Sequence, residues 1–186
     1  MHVPEKCNYS SFRVRKLRND ETIESFDCGN NDLNDFIVCR AQSYHKLLIA
    51  VTYICEDVDS GAILGYFSLA YDRISIDDFD SNTDFNRFRR RRFINEKRIR
   101  SYPAVKICRL GVHNKCKGTG IGTILIDFIK SYFLVNNKAG CRFITVDAYN
   151  NAVLFYERND FKLLRVGSND SDITKLLSYD LNDMIA

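Results

Sequence analysis

The chain has 186 residues, of which 45% are hydrophobic and 27% charged, with a formal net charge of +3. That length suits a single core and is short for two, and the balance excludes disordered and fibrous classes. No apolar run approaches the roughly 18 residues of a membrane span, and Met1 to Phe12, which carries Glu5, Lys6 and Asn8, lacks the apolar core of a secretory signal. The expectation is one domain over 1–186, in the cytoplasm.

Phe12 to Leu17 alternates apolar and basic residues, the pattern of a half-buried strand. Asp27-Cys28-Gly29-Asn30-Asn31 then supplies turn and capping residues before Leu33, Phe36, Ile37, Arg40, Ala41 and Tyr44, an i, i+3, i+4 series that predicts one amphipathic helix. Leu48 to Cys55 and Ala62 to Ala70, on either side of an Asp57 to Gly61 turn, read as a hairpin. A charged insert occupies about 72–102, and its Phe85, Phe88, Phe93 and Ile94 predict a helix pinned to the body.

Ala104 to His113 is strand-like and leads into Lys117-Gly118-Thr119-Gly120-Ile121-Gly122. From there Ile121, Ile124, Leu125, Phe128, Ile129, Tyr132 and Phe133 fall on one helical stripe. Phe143 to Ala148 predicts a strand, Asn150 to Arg158 a short helix, and Phe161 to Val166 and Ile173 to Leu181 two closing strands. The mixture predicts an α+β layered fold.

The insert is polarised. Between Asn86 and Arg100, seven arginines and Lys97 against Glu96 give a local charge of +7, and Asp72, Asp77, Asp78, Asp80 and Asp84 precede it. Two readings stay open: solvated segments that neutralise each other, or a patch for an anionic partner. The seven cysteines, at 7, 28, 39, 55, 108, 116 and 141, form no C-x-x-C pair and have no histidine at metal spacing. A disulfide framework and a metal site are not expected, and Cys55, Cys108 and Cys141 read as small hydrophobes.

Three glycines just ahead of a helix leave backbone N–H groups uncovered where the helix dipole is positive, so the turn suits an anion. Thr123-Ile124 after Gly122 excludes the Walker pattern, and the absence of glycine at 123 excludes the Rossmann fingerprint.

The run Leu110-Gly111-Val112-His113-Asn114-Lys115-Cys116-Lys117-Gly118-Thr119-Gly120-Ile121-Gly122 resembles motif A of the GCN5-related N-acetyltransferases (the GNAT family), whose loop reads Q/R-x-x-G-x-G/A. Thr145-Val146-Asp147-Ala148 and Phe155-Tyr156-Glu157-Arg158-Asn159-Asp160-Phe161 resemble that family's following strand and F-Y-x-x-x-G-F segment. Asp160 stands where the pattern has glycine, a mild departure because Asp tolerates left-handed backbone. The resemblance implies a mixed, mostly antiparallel sheet with a splayed central strand flanked by helices in three layers, and acetyl-coenzyme A as acetyl donor. It further implies that Lys117, Gly118, Thr119, Gly120, Gly122 and Thr123 hold the pyrophosphate. Leu110, Gly111 and Val112 would bind the pantetheine arm, Asn151 would contact the coenzyme and Tyr156 would serve the sulfur. Phe26 to Ile37 and Gly65 to Ala70 are similar to segments of toxin-type acetyltransferases, which acetylate the α-amine of aminoacyl-tRNA.

The activity so implied is N-acetylation of a primary amine by direct attack, with toxin-type acetylation of aminoacyl-tRNA or a non-catalytic coenzyme-binding regulator as alternatives. A phenol near 10 and a thiol near 8.5 make full proton transfer from Tyr156 uphill by about 2 kcal/mol, so a strong hydrogen bond would suffice. No general base stands out. His113 is the histidine nearest the motif, and Cys108 and Cys116 have no histidine placed to activate them. The partners implied are a small-molecule, peptide or aminoacyl-tRNA acceptor, nucleic acid through Arg87, Arg89, Arg90, Arg91 and Arg92, and no membrane, with a homodimer left open.

Overall fold

The computed structural model describes residues 11–93, 99–135, 139–164 and 173–185. The chain forms two compact units, one from the residues up to Ala70 together with Ile107–Ser131, the other from Tyr71–Lys106 and Tyr132 onward.

In the first unit β1 (Phe12–Lys16) pairs antiparallel with β2 (Val51–Asp57), and β2 pairs antiparallel with the leading part of β3 (Ile63–Ser75). The expected hairpin is present: Asp57 N–H donates to the Ala62 carbonyl at 2.9 Å, and Gly61 supplies a φ of +71°. The expected single helix is instead three segments, α1 (Asn31–Asp35), a π-helical turn (Phe36–Arg40) and α2 (Ala41–Lys46). Asn30 caps α1 by accepting the Leu33 N–H. The widened turn, in which the Ala41 N–H reaches the Phe36 carbonyl, buries Phe36, Ile37 and Ala41 together while Arg40 turns outward to Asp35.

The helix α2 ends in a Schellman motif. Ile49 N–H donates to the Tyr44 carbonyl at 2.9 Å and Leu48 N–H to the His45 carbonyl at 3.1 Å. The left-handed position that usually takes glycine is filled by Leu48, at φ +57° and 90% exposed.

Lining the other side of β3 in this unit's strand order is β4 (Ser101–Val112), through its trailing part. Beyond β4, helix α4 (Ile121–Tyr132) starts at the glycine turn and buries Ile121, Leu125, Ile126 and Ile129 completely. Each such side chain contributes roughly 1.5–3 kcal/mol of burial. A second cluster, of Phe26, Phe36, Ile37, Ile54 and Tyr66, fills the space around α1. Tyr66 is fully buried, and its hydroxyl donates to the Leu33 carbonyl at 2.7 Å.

The second unit holds the trailing part of β3, helix α3 (Asn82–Arg90), the leading part of β4, β5 (Phe143–Tyr149), α5 (Val153–Glu157), β6 (Lys162–Leu163) and β7 (Thr174–Asp180). Its strand order is β3-β4-β5-β7-β6, with β7 antiparallel to both β5 and β6. The helix expected in the charged insert is α3. Ser81 caps it, Phe85 is buried, and Phe88 and Phe93 pack on the cluster of Ile74, Tyr102 and Phe143. Ile94, part of the same expectation, lies outside the described residues, as do positions 165–166 of the strand expected from Phe161 to Val166.

Because Leu48 is 90% exposed and so buries little surface to offset its left-handed backbone, Leu48→Gly should raise stability by roughly 0.5–1 kcal/mol. The urea midpoint measures it, and an unchanged or lowered midpoint contradicts the assignment.

Candidate functional site

The first unit brings the motif residues 110–123 into one strand, turn and helix start. His113 leaves β4 with its N–H on the Leu64 carbonyl at 2.9 Å, and its Nδ1 accepts the Lys115 N–H at 3.2 Å. This capping of the short Asn114–Cys116 turn is the structural part His113 plays. Within the glycine turn, Lys117 N–H and Thr119 N–H close back onto the Asn114 and Cys116 carbonyls, each at 3.3 Å. The first helical bond of α4 is Ile124 N–H to the Gly120 carbonyl at 3.0 Å, so the N–H groups of Ile121, Gly122 and Thr123 have no acceptor inside the helix.

Gly118 and Gly120 have φ of +76° and +91°, and a Cβ at either would meet nothing within 4 Å. The backbone is therefore bare on that side. Helix dipole, uncovered N–H groups and the exposed Lys117 side chain together make a cradle for a phosphate or diphosphate. Leu110 and Val112 are half-buried and Gly111 is buried. A Cβ on Gly111 would lie 2.9 Å from a ring carbon of Tyr66.

Upstream, the turn at Asp27 joins this region, a link that sequence spacing does not reveal. The Asp27 carbonyl accepts the Asn114 N–H at 2.8 Å and its carboxylate accepts the Asn114 side-chain amide at 2.7 Å. Donation from the Gly29 N–H, then from Asn114 and Asn34, holds the Asp27 carboxyl below its usual range. Cys116, inside the motif, is disulfide-bonded, which the sequence did not lead one to expect. Cys28, Cys39, Cys55, Cys108 and Cys141 are free, and among these are the three, Cys55, Cys108 and Cys141, read as small hydrophobes.

The second unit carries Asn151, exposed in the Asn150–Ala152 turn, and Tyr156 in α5. Tyr156 is 6% exposed and packs edge-on against Phe155 and Phe161. Burial pushes its phenol well above the usual value, so its oxygen keeps the proton at neutral pH. Asp160, at the motif's glycine position, has a φ of +67°, the left-handed backbone expected there.

The arginine run divides into two groups. Arg87 pairs with Asp84 at 2.9 Å and Arg89 donates to Asn86. Arg92 is turned inward, with its guanidinium 4.1 Å from the Phe88 ring centre and its Nε 3.3 Å from the Asp180 carboxylate, which also pairs with Arg142. Arg90 and Arg91 are exposed and make no side-chain hydrogen bond, ion pair or ring contact among the described residues.

Residues 93–173 match the profile of the acetyltransferase (GNAT) domain family. No curated protein matches the chain in sequence. Among solved structures, a bacterial toxin shares 17% identity at a TM-score of 0.75, over 94% of this chain and 93% of that one. AtaT complexed with acetyl-methionyl-tRNAfMet shares 21% at 0.71, over 94% and 98%, and AtaTR bound with acetyl-coenzyme A shares 21% at 0.69, over 94% and 96%. The chain has the GNAT fold. The α+β class and the family resemblance read from its motifs are thereby borne out.

At the cradle, Gly120→Asp would place a carboxylate in the bare space over the uncovered N–H groups. Coenzyme A affinity should fall at least about 100-fold with the fold intact, since an introduced anion replaces a site built for one. Calorimetric titration with wild-type affinity in this variant would remove the cradle from the binding site.

Proposed function

We propose that the chain is an acetyl-coenzyme A dependent N-acetyltransferase that transfers acetyl to a primary amine by direct attack. The observation that carries this reading is the bare backbone at Gly118 and Gly120 ahead of α4, in a chain with the GNAT fold. Acetyl-coenzyme A would supply the thioester-activated acetyl group. On this reading the uncovered N–H groups of Ile121, Gly122 and Thr123 and the Lys117 ammonium bind its diphosphate over the Lys117–Gly120 turn, and the main chain of Leu110, Gly111 and Val112 orients the pantetheine arm. Asn151 contacts the coenzyme.

As the amine nitrogen bonds to the acetyl carbon, negative charge builds on the carbonyl oxygen, which a backbone N–H near Val112 stabilises. When the carbon–sulfur bond breaks, the sulfur needs a proton or a strong hydrogen bond. Tyr156 would offer the hydrogen bond rather than a full proton, because burial raises its phenol pKa and makes proton release harder still. An α-amine with a pKa near 8 is about a tenth neutral at pH 7, so it loses its proton to solvent without a dedicated base. Tyr156→Phe should lower kcat by about 10- to 10³-fold at unchanged coenzyme affinity. Steady-state kinetics with an acetylated amine tests this, and an unchanged kcat removes Tyr156 from that role at the sulfur.

A second reading, in which the acceptor is the α-amine of aminoacyl-tRNA, is favoured by Arg90 and Arg91, two exposed cations with no partner among the described residues. It is also supported by the likeness to AtaT, solved with acetyl-methionyl-tRNAfMet. Replacing both with Ala should leave stability within about 0.5 kcal/mol. The slope of log affinity for tRNA against log salt should flatten by roughly 0.7–0.9 for each phosphate that the variant no longer neutralises. Parallel lines of equal height for the two proteins would end the nucleic-acid role of these arginines.

A further inference from the structure

The turn Asp27-Cys28-Gly29-Asn30 is tied to the phosphate-binding region more closely than a cap for α1 requires. Asn30 alone caps the helix, through the Leu33 N–H. Asp27 instead reaches across 87 positions of sequence, where its carbonyl takes the Asn114 N–H and its carboxylate the Asn114 side-chain amide. The carbonyl of the same Asn114 accepts the Lys117 N–H. Gly29 completes the arrangement: a Cβ there would lie 3.1 Å from both the Lys117 ammonium and the Asn114 side-chain oxygen, so these two side-chain ends lie close over Gly29 and would have to shift for any larger residue. Gly29 is also left-handed, at φ +77°, and its N–H donates to the Asp27 carboxylate at 2.8 Å.

We propose that Asp27 is a positioning residue for the coenzyme cradle, acting through Asn114 to hold Lys117 and the start of the glycine turn in their binding conformation. The inference rests on the acetyl-coenzyme A reading above. Asp27 is exposed and fills no core space, so it contributes little packing to the fold. Its two bonds to Asn114 act beside the His113 N–H on Leu64 and the disulfide at Cys116 in fixing the segment after β4, and they are the ones that reach the Asp27 turn. A turn freed of that tie passes part of its time in other conformations, and apparent affinity falls in proportion to the population of the competent one.

The test uses the full chain and coenzyme A as probe. Asp27→Ala should weaken coenzyme A binding by about 5- to 20-fold and raise KM for acetyl-coenzyme A equally, while kcat at saturation stays at the wild-type value. Asp27→Asn should recover most of the affinity, because its oxygen still accepts from Gly29 and Asn34, and Asn114 can turn its amide to offer oxygen to the new NH₂ group. Without coenzyme, Asp27→Ala should speed amide hydrogen exchange over 113–119 as well as over 27–31. Exchange that quickens only over 27–31, or an Asp27→Ala variant that binds with wild-type affinity, overturns the proposal. If the wild-type chain fails to bind coenzyme A, the acetyltransferase reading falls, and the exchange over 113–119 still decides whether Asp27 holds the turn.

Discussion

Helix α4 lies where it does because Gly65 leaves it room, and Gly111 does the same for the Tyr66 and Phe26 rings. A Cβ on Gly65 would come within 2.9 Å of the Gly111 carbonyl oxygen and 3.2 Å of a Leu125 methyl, and a Cβ on Gly111 would press into Tyr66. The close approach lets Ile121 and Leu125 be completely buried at the start of the helix. It therefore fixes the direction in which the uncovered N–H groups of the first turn point. Tyr66 is held in turn by the Leu33 carbonyl and by edge-on packing with Phe26 at 5.3 Å, next to the Asp27 turn. The anion cradle is thus a consequence of packing beneath it, and the left-handed glycines above only keep it uncovered.

What could be read from the sequence was mostly local. The stripe from Ile121, the glycine turn, the β2–β3 hairpin and the cap at Asn30 each depend on residues within a few positions of one another, and each is present, with the stripe fading at its end, where Tyr132 is half exposed, and Ile126 buried in addition. Asp160 is a finer case: a family pattern calling for glycine, met by an Asp, pointed to left-handed backbone that the structure has. What escaped is non-local or breaks a period. The Asp27–Asn114 pairing joins residues on different elements, and neither type announces a partner. The π turn leaves the apolar series from Leu33 to Tyr44 looking like an ordinary helix, because only the hydrogen-bond span differs. Leu48 occupies a glycine position without any sequence mark, and the bond at Cys116 has no spacing signature.

The charged insert shows how composition can mislead about exposure. Several of its acids are engaged: Asp78 and Asp84 close the local caps at Ser75 and Ser81, and Asp72 accepts the hydroxyl of the distant Thr145. The cancellation expected between the acidic and basic stretches takes the form, at Asp84 and Arg87, of one exposed pair within a single helix. On the basic side, adjacent arginines have opposite environments. Arg92 lies over Phe88 and beside a carboxylate shared with Arg142, where a planar, weakly hydrated guanidinium is easier to bury than an ammonium. Arg90 and Arg91 remain in water. The formal charge of the run overstates the positive potential available to a partner.

The π turn at Phe36–Arg40 has a consequence for how this helical stretch tolerates change in length. In a regular helix, Ala41 would stand about 140° around the axis from Phe36, whereas the wider turn brings the two nearly into line. One residue more than an α-helix needs is thereby absorbed without rotating Tyr44 off the ring of Phe36, which it meets edge-on at 5.2 Å. Loss of a residue here would leave an unbroken helix whose second half keeps its face to the core. Gain of another would have no comparable outlet, so the stretch is tolerant of shortening and intolerant of lengthening.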